Sequence, residues 1–319
     1  QCPGVCDDTA NLAVMMLCAK YFIQHNIPGK TGILFVANSC EEGLGNLAGV
    51  KQIFKDYEGR VKQFVTIDSQ IGGVVNMAVG SHRYEVVAET EGGHSFNAFG
   101  NANAITALSR LIADLYTIQV PVKEGAKTTY NVGTIEGGTS VNTIAQKAKM
   151  LFEYRSDDAE CLAIMEQAFQ EKIAAAKAQN YGNISVEVVG IRPCQGEIDE
   201  KVFGEMVRRV KEVCTEETGE ECISKSGSTD CNIPLSRGVA ALCLGVYRGR
   251  GAHTREEFID IDSLQPGMKF AFVEVKAPGE KPRPLQLSRH RLLRRLGFRV
   301  YVLDNESQIG GMIDEIQSA

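Results

Sequence analysis

The sequence predicts an α/β fold: a mostly parallel sheet covered by helices, into which a smaller α+β unit of ferredoxin-like topology is inserted. Strand-length apolar runs alternate with helical apolar periods towards both ends of the chain, the pattern of a parallel sheet buried on both faces. Between residues 79 and 194 the order becomes strand, helix, two strands, helix, strand, a split βαβ arrangement. A chain of 319 residues is also too long for one small core, so two domains are expected.

The elements follow from local pattern. Leu12, Met15, Met16, Ala19, Phe22 and Ile23 recur at helical spacing over 8–24 behind Asp8 or Thr9 as a cap, and Asn26-Ile27-Pro28-Gly29 ends that helix. Residues 32–38 read as a strand, followed by Cys40-Glu41-Glu42-Gly43 and a helix over 44–56 marked by Leu44, Leu47, Val50, Ile53 and Phe54. A second strand, Phe64-Val65-Thr66-Ile67, ends in Asp68. In the insert, His82 to Thr90 alternates as a strand and leads into Gly92-Gly93-His94-Ser95 and an amphipathic helix over 101–117. Strands near 129–136 and 146–155 flank Gly137-Gly138-Thr139-Ser140-Val141-Asn142. Asp157 and Glu160 open a helix to about 179 as a capping box, and a strand starting at Ile184 closes the set. The first domain resumes near 195 with a helix over 198–217, the turn Lys225 to Asp230, a strand over 239–246, the small-residue loop to His253-Thr254, and a final helix over 261–275.

Composition excludes several function classes. A net charge of −6 and a pI near 5.6 argue against nucleic acid or an anionic membrane surface as partner. No run of ~18 apolar residues is present to span a bilayer. The ten cysteines are scattered without a CxxC pair, so they read as reduced, mostly buried residues of a cytoplasmic protein. The chain opens on Gln1 and a Cys-Pro-Gly turn, which reads as a fragment lacking an N-terminal part. Residues 279–319 read as a linker and a basic extension, Arg289 to Arg295, with no assigned role.

In open α/β sheets, ligands collect outside the carboxyl ends of the strands. Glu41, Glu42 and Asp68 fall at that edge, Asp7 precedes a helix that can open onto it, and His253 lies on a loop after another strand. Four carboxylates need a counter-charge, and with a histidine a divalent metal is the economical solution. A mixed oxygen and nitrogen set suits zinc, with cobalt or manganese as substitutes. The plainer alternatives are an acidic first turn complementing the helix dipole for Glu41-Glu42 and a surface loop histidine for His253.

The segments Gly4-Val5-Cys6-Asp7-Asp8-Thr9, Cys40-Glu41-Glu42-Gly43, Asp68, Gly92-Gly93-His94-Ser95, Gly138-Thr139-Ser140-Val141-Asn142, Gly227-Ser228-Thr229-Asp230 and His253-Thr254 occur in the order and spacing of one family. Over residues 1 to about 278 the chain resembles the co-catalytic dizinc peptidase and aminoacylase family, peptidase family M20. The resemblance implies a discontinuous catalytic domain over 1–78 and 195–278, truncated at its N-terminus, with a lid and dimerisation domain over 79–194. It implies two zinc ions, with Asp7 as the bridging carboxylate behind a cis peptide to Asp8, Glu42 and His253 as ligands of one ion, and Asp68 as a ligand of the other. Glu41 then resembles the general base, left free of metal beside its ligating neighbour. His94 resembles a lid histidine that steadies the oxyanion, in some members across the dimer. Asn142 and Arg155 resemble lid residues for the substrate carboxylate or carbonyl, and Ser228 and Thr229 resemble the substrate-contacting turn. Each has an ordinary structural alternative: a histidine in a Gly-rich turn, an Arg155 ion pair with Asp157 or Asp158, and helix capping by Ser228 and Thr229.

The family's His-x-Asp motif would lie before Gln1, so one metal site is expected to be a histidine short. The function implied is zinc-dependent hydrolysis of peptide or amide bonds in small peptides, most like a tripeptide aminopeptidase working as a homodimer. The alternatives are an N-acyl amino acid deacylase or desuccinylase, and a non-catalytic homologue that dimerises and binds peptide or a single metal.

Overall fold

The structure is a computed structural model describing residues 1–25, 32–179 and 182–264. The expected end of the first helix at 26–29, the final helix beyond Leu264, and the 279–319 extension lie outside the described residues.

The first layer is a four-stranded mixed sheet of order β1-β10-β2-β9, formed by β1 (Gln63–Ile67), β2 (Gly73–Ala78), β9 (Ile223–Gly227) and β10 (Ala240–Leu244). Pairings β1–β10 and β2–β9 are parallel, whereas β10–β2 is antiparallel. Strand β10 is Ala-Ala-Leu-Cys-Leu and is buried at every position, because both faces are covered. Leu242 and Leu244 pack with Val14 and Cys18 of α1 (Ala10–His25) and with Met206 and Cys214 of α5 (Glu200–Thr218). Ala241 and Cys243 face Leu235 of α6 (Asn232–Ser236), and Leu47, Val50 and Phe54, the latter two on α2 (Ala48–Asp56), join Ile233 beneath.

The second unit is a four-stranded antiparallel sheet of order β5-β7-β3-β8, built from β3 (Gly80–Glu89), β5 (Thr128–Gly137), β7 (Lys147–Ser156) and β8 (Asn183–Arg192). Helices α3 (Ala104–Leu115) and α4 (Ala159–Ala178) pack on one face, where Leu108, Leu111, Met165 and Phe169 meet Val86, Met150, Phe152 and Tyr154. A short ladder of β4 (Gly93–His94) and β6 (Thr143–Ile144) tops this unit. Strands β11 (Arg248–Arg250) and β12 (Phe258–Asp260) form a separate hairpin.

Four local expectations are corrected. Residues 32–38 have no ladder partners among the described residues, and Ile33 and Leu34 are half exposed, so the apolar run is not assigned as a strand here. An apolar run signals burial but does not supply the neighbouring strand that a ladder requires. The helix expected from 44 begins at Ala48, because Gly43–Gly45 forms a 3-10 turn and Asn46 and Leu47 adopt left-handed conformations. Gly49 is required at its start, since a Cβ there would collide with the Ser39 carbonyl of the segment leading to Glu41. Helix α4 is capped by Asp158, which accepts from the Cys161 N–H, rather than by Asp157. Strands β2 and β9, which local pattern does not announce, complete the sheet. Every position of β9 but its last is exposed, as suits an edge strand.

Candidate active site

The carboxyl end of the mixed sheet opens into a cavity of about 450 Å³. Asp68 follows β1 directly, and its N–H donates to the Leu244 carbonyl at the end of β10 (3.0 Å). Gly245 lets the two strand ends run this close, because a Cβ there would collide with the Ser69 carbonyl. Asp7 comes from the turn before α1, where the Asp7–Asp8 peptide bond is cis. Glu41 and Glu42 follow Cys40, whose φ of 66° is a left-handed conformation uncommon for a residue with a Cβ. His253 is also left-handed, with φ 65°. Such conformations cluster at functional sites, where surrounding contacts hold them.

Ligand-type atoms gather in two groups that share Asp7. Asp7, Glu42 and His253 offer atoms within 4.8 Å of one another, as do Asp7, Asp8 and Asp68. His253 Nε2 lies 3.2 Å from Asp7 Oδ2. Glu41 stands in neither group but lines the same cavity. Burial and then the Glu42 carboxyl push Asp7 up to about 6, with His253 pulling the other way. Burial and then the charges of Glu41, Asp7 and Glu42 push Asp68 up to about 7. Burial likewise raises Asp8 to about 7, against its hydrogen bond from Asn11 (2.6 Å). Carboxylates that raise one another in this way are under-compensated, and the donor set is all oxygen and imidazole nitrogen. These residues therefore fit divalent ions such as zinc, cobalt or manganese.

Glu257 was not singled out from the sequence, yet it holds the Asp7 turn. Its side chain is 2% exposed and accepts the N–H groups of Gly4 (2.8 Å) and Asp7 (3.0 Å), and that of Cys6 as well. These bonds, Gly4 first, keep its pKa below the ordinary carboxylate range against the effect of burial.

The opposite wall is basic and comes from the inserted sheet. Arg83 on β3, Arg155 on β7 and Arg192 at the end of β8 all line the cavity. Arg155 pairs with Glu153 through Nε (2.9 Å) and NH2 (3.0 Å), not with Asp157 or Asp158. Asp157 accepts from the Lys127 N–H and Asp158 pairs with Lys123, so both are engaged elsewhere. Arg83 shares Glu153 (3.2 Å) and donates to the Gly43 carbonyl. Arg192 donates to Glu41 Oε1 (3.0 Å), to the Glu41 carbonyl and to Ser228 Oγ (3.1 Å). Glu41 is therefore ion-paired to an arginine that the sequence reading did not single out. Burial raises its pKa and outweighs the opposing pull of Arg192. An arginine at a strand end carries no sequence signal that separates this contact from an exposed position.

Ser228 and Thr229 line the cavity, and the Thr229 hydroxyl also accepts from the Cys231 N–H (3.2 Å). His94 and Asn142 do not line it. They sit together at the β4–β6 ladder, where the Ser95 N–H donates to the Asn142 carbonyl (2.9 Å), and His94 is exposed.

A mixed α/β layer is thus joined to a ferredoxin-like insert, with an acidic cluster and a basic wall lining one cavity. Residues 76–180 match the family model described as the peptidase dimerisation domain. That segment belongs to the M20 dimerisation-domain family. Among solved structures it is similar to a tripeptidase from Staphylococcus aureus (TM-score 0.64, 23% identity, 84% of this chain and 70% of that one). It is also similar to aminopeptidase PepT from Bacillus cereus (TM-score 0.61, 24% identity, 83% and 69%). The curated protein YqjE of Bacillus subtilis is 24% identical over 262 residues, covering 81% of this chain and 67% of that protein. A 41-residue match, 56% identical and 13% of this chain, is to the putative nuclease p44 of Acyrthosiphon pisum secondary endosymbiont phage 1, of which it covers 44%.

Proposed function

We propose that this chain is a metal-dependent hydrolase of small peptides, of tripeptide aminopeptidase type, with Glu41 as general base. The observation that carries the reading is the pair of ligand groups sharing Asp7, with Glu41 beside them but in neither. Asp7, Glu42 and His253 would hold one ion, and Asp7 with Asp68 and Asp8 the other. When bound, such ions polarise a carbonyl and acidify water, which is the chemistry amide hydrolysis needs near neutral pH. Glu41 would take the proton from the attacking water and return it to the leaving amine. Arg155, with Ser228 and Thr229, would hold the substrate carboxylate or carbonyl. The names of the two solved relatives, an aminopeptidase and a tripeptidase, point to the same substrate class.

The proposed organisation is a catalytic domain over 1–78 and 195–278 with a lid and dimerisation domain over 79–194. The dimerisation-domain match supports a homodimer, in which the exposed His94 and the neighbouring Asn142 would serve a second copy's site. Among the described residues no helix is long and apolar enough to cross a membrane. All ten cysteines are free thiols, which suits the reducing cytoplasm.

The test is release of free amine from tripeptides against N-acyl amino acids, with zinc added, for the chain and its Glu41→Gln variant. Turnover of tripeptides that disappears in the variant while zinc stays bound is expected. Zinc loss on Glu41→Gln would mean that base and ligand are exchanged, and preference for N-acyl amino acids would make the enzyme a deacylase. One zinc or none per chain, without turnover of either substrate, would favour a binding protein.

A further inference from the structure

A cluster of ligand-type atoms also lies in the inserted unit, and none of its residues lines the cavity. His82 and Tyr154 are register partners on β3 and β7, and Tyr84 follows two residues on, so all three project from one face of the sheet. Glu166 of α4, which packs on that face, meets them there. His82 Nδ1 is 2.9 Å from both Glu166 Oε2 and the Tyr154 hydroxyl, and 3.4 Å from the Tyr84 hydroxyl. The two hydroxyls are 3.2 Å apart, and both donate to the same Glu166 Oε2. One nitrogen and three oxygen atoms, from three elements, thus make every mutual contact open to them. Each hydroxyl carries one proton and Nδ1 at most one, so hydrogen bonds account for no more than half of these contacts. A cation among the four atoms accounts for all of them.

Four ligands held about 2.0–2.1 Å from one ion stand about 3.3–3.4 Å apart in a tetrahedron, close to the 2.9–3.4 Å of the longer contacts here. Gln170 Nε2 donates to Glu166 Oε1 (2.8 Å), orienting the carboxylate as outer-shell groups orient metal ligands. Phe169 stacks on Tyr84 (4.5 Å between centroids) and closes the inner side with apolar surface. Tyr84 and Tyr154 are buried, whereas the His82 and Glu166 side chains are 20% and 33% exposed, so the outer side is open to an entering ion. Without a cation, burial and then the hydrogen bond to Glu166 keep both phenols protonated, with Tyr84 pushed up to about 12. We propose that His82, Tyr84, Tyr154 and Glu166 form a metal site for a hard trivalent ion, ferric iron being the one this set suits. Two phenolates and one carboxylate balance a 3+ charge beside a neutral imidazole, and tyrosine oxygen is a known ligand of iron. Anionic oxygens also favour the 3+ over the 2+ state, by simple electrostatics. On binding, both phenol O–H bonds break, two Fe–O bonds form to the phenolates, and two protons leave to solvent. The iron stays ferric and no electron is transferred. The ion ties β3, β7 and α4 together, a stabilising clamp independent of the hydrolytic site.

The test uses the full chain, first supplied with zinc to occupy the cavity ligands and then titrated with ferric citrate. Phenolate bound to ferric iron absorbs visible light by ligand-to-metal charge transfer, a band that carboxylate and imidazole ligands alone do not produce. The expected result is a visible band that saturates at one iron per chain, with a melting temperature above that of the iron-free chain. Tyr84→Phe and Tyr154→Phe each remove one ligand oxygen. Either should weaken iron binding by more than about 100-fold, because loss of an outer-shell partner alone costs about 10–100-fold. Tyr247 lines the cavity, so Tyr247→Phe is the control for iron held there, and it should keep the band. If Tyr154→Phe does not fold, Tyr84→Phe carries the comparison, and phenolate modes in the resonance Raman spectrum of the unaltered chain need no variant. The proposal is overturned if stoichiometric iron gives no visible band, if the band survives both tyrosine substitutions in the cluster, or if Tyr247→Phe abolishes it. Uptake that saturates only at large excess and without the band is adventitious binding to surface carboxylates, and overturns it too. None of these readouts depends on turnover, so the result is separate from the hydrolase assay.

Discussion

Replacing Glu257 with Gln tests whether the turn carrying Asp7 is held from outside the ligand set. The carboxylate accepts three backbone N–H groups, two on Oε1 from Cys6 and Asp7 and one on Oε2 from Gly4. An amide has one acceptor oxygen, so one face of the side chain would present N–H to N–H whichever way it is turned. If its oxygen keeps Cys6 and Asp7, Gly4 loses its partner; flipped, it loses the two nearer the ligand. Outer-shell partners of this kind typically cost 10–100-fold in metal affinity when removed. Asp7 belongs to both ligand groups, so the loss should fall on both ions and lie towards about 100-fold for each. Chelator-competition titrations with zinc would measure it, and the visible spectrum of the cobalt-substituted chain would report the change in ligand geometry. Glu256→Gln, at the exposed neighbouring position, should leave both unchanged. Wild-type metal affinity in Glu257→Gln would refute the reasoning, as would a loss of metal-free stability with no change in affinity or spectrum.

Three further outcomes are expected. His253→Ala should lower bound zinc from two ions to one per chain by elemental analysis, and retention of both would exclude His253 as a ligand. In the inserted unit, burial alone would push Glu166 up, but hydrogen bonds from Tyr154, Tyr84, Gln170 and His82 outweigh it and bring it to about 2 from 4.5. A carboxylate depressed in the folded state stabilises above its unfolded pKa, so this contribution should fade as pH falls from about 4.5 towards 2. Melting curves of Glu166→Gln should lose that part of the acid sensitivity; an identical pH dependence would count against it. Phe169 is fully buried and stacks on Tyr84 (4.5 Å between centroids) and Phe152 (5.2 Å). Phe169→Ala should cost roughly 3–5 kcal/mol in denaturant unfolding, and a loss below about 1 kcal/mol would mean the core collapses onto the gap.

Legibility varied with the range of the interactions involved. Strands β3 and β7 and helices α3 and α4 announce themselves because each has a buried face at the period of its own backbone, and the first half of β5 alternates in the same way between half-buried and exposed positions. Strand β9, Ile-Ser-Lys-Ser-Gly, has no such alternation, and it is a strand only because β2 lies beside it. The 32–38 run shows the reverse: its apolar content promises a strand, and no described neighbour completes the ladder. Helix α2 begins late because Asn46 and Leu47 turn left-handed, which no propensity of Leu announces.

By itself the sequence determined the α/β class, the alternating elements of the insert, and the residue types of the acidic cluster, including Asp7, Glu41, Glu42, Asp68 and His253. These are short-range matters of periodicity, or motifs whose order along the chain is distinctive. Only the tertiary structure decided which groups meet. Arg192 reaches Glu41 across 151 residues, and Glu257 reaches Asp7 across 250. At such separations nothing in the local pattern selects a partner, because the contact is set by how two sheets and their loops pack, not by the backbone period of either. The same holds for His94 and Asn142, whose residue types suit a catalytic role but whose ladder places them outside this cavity.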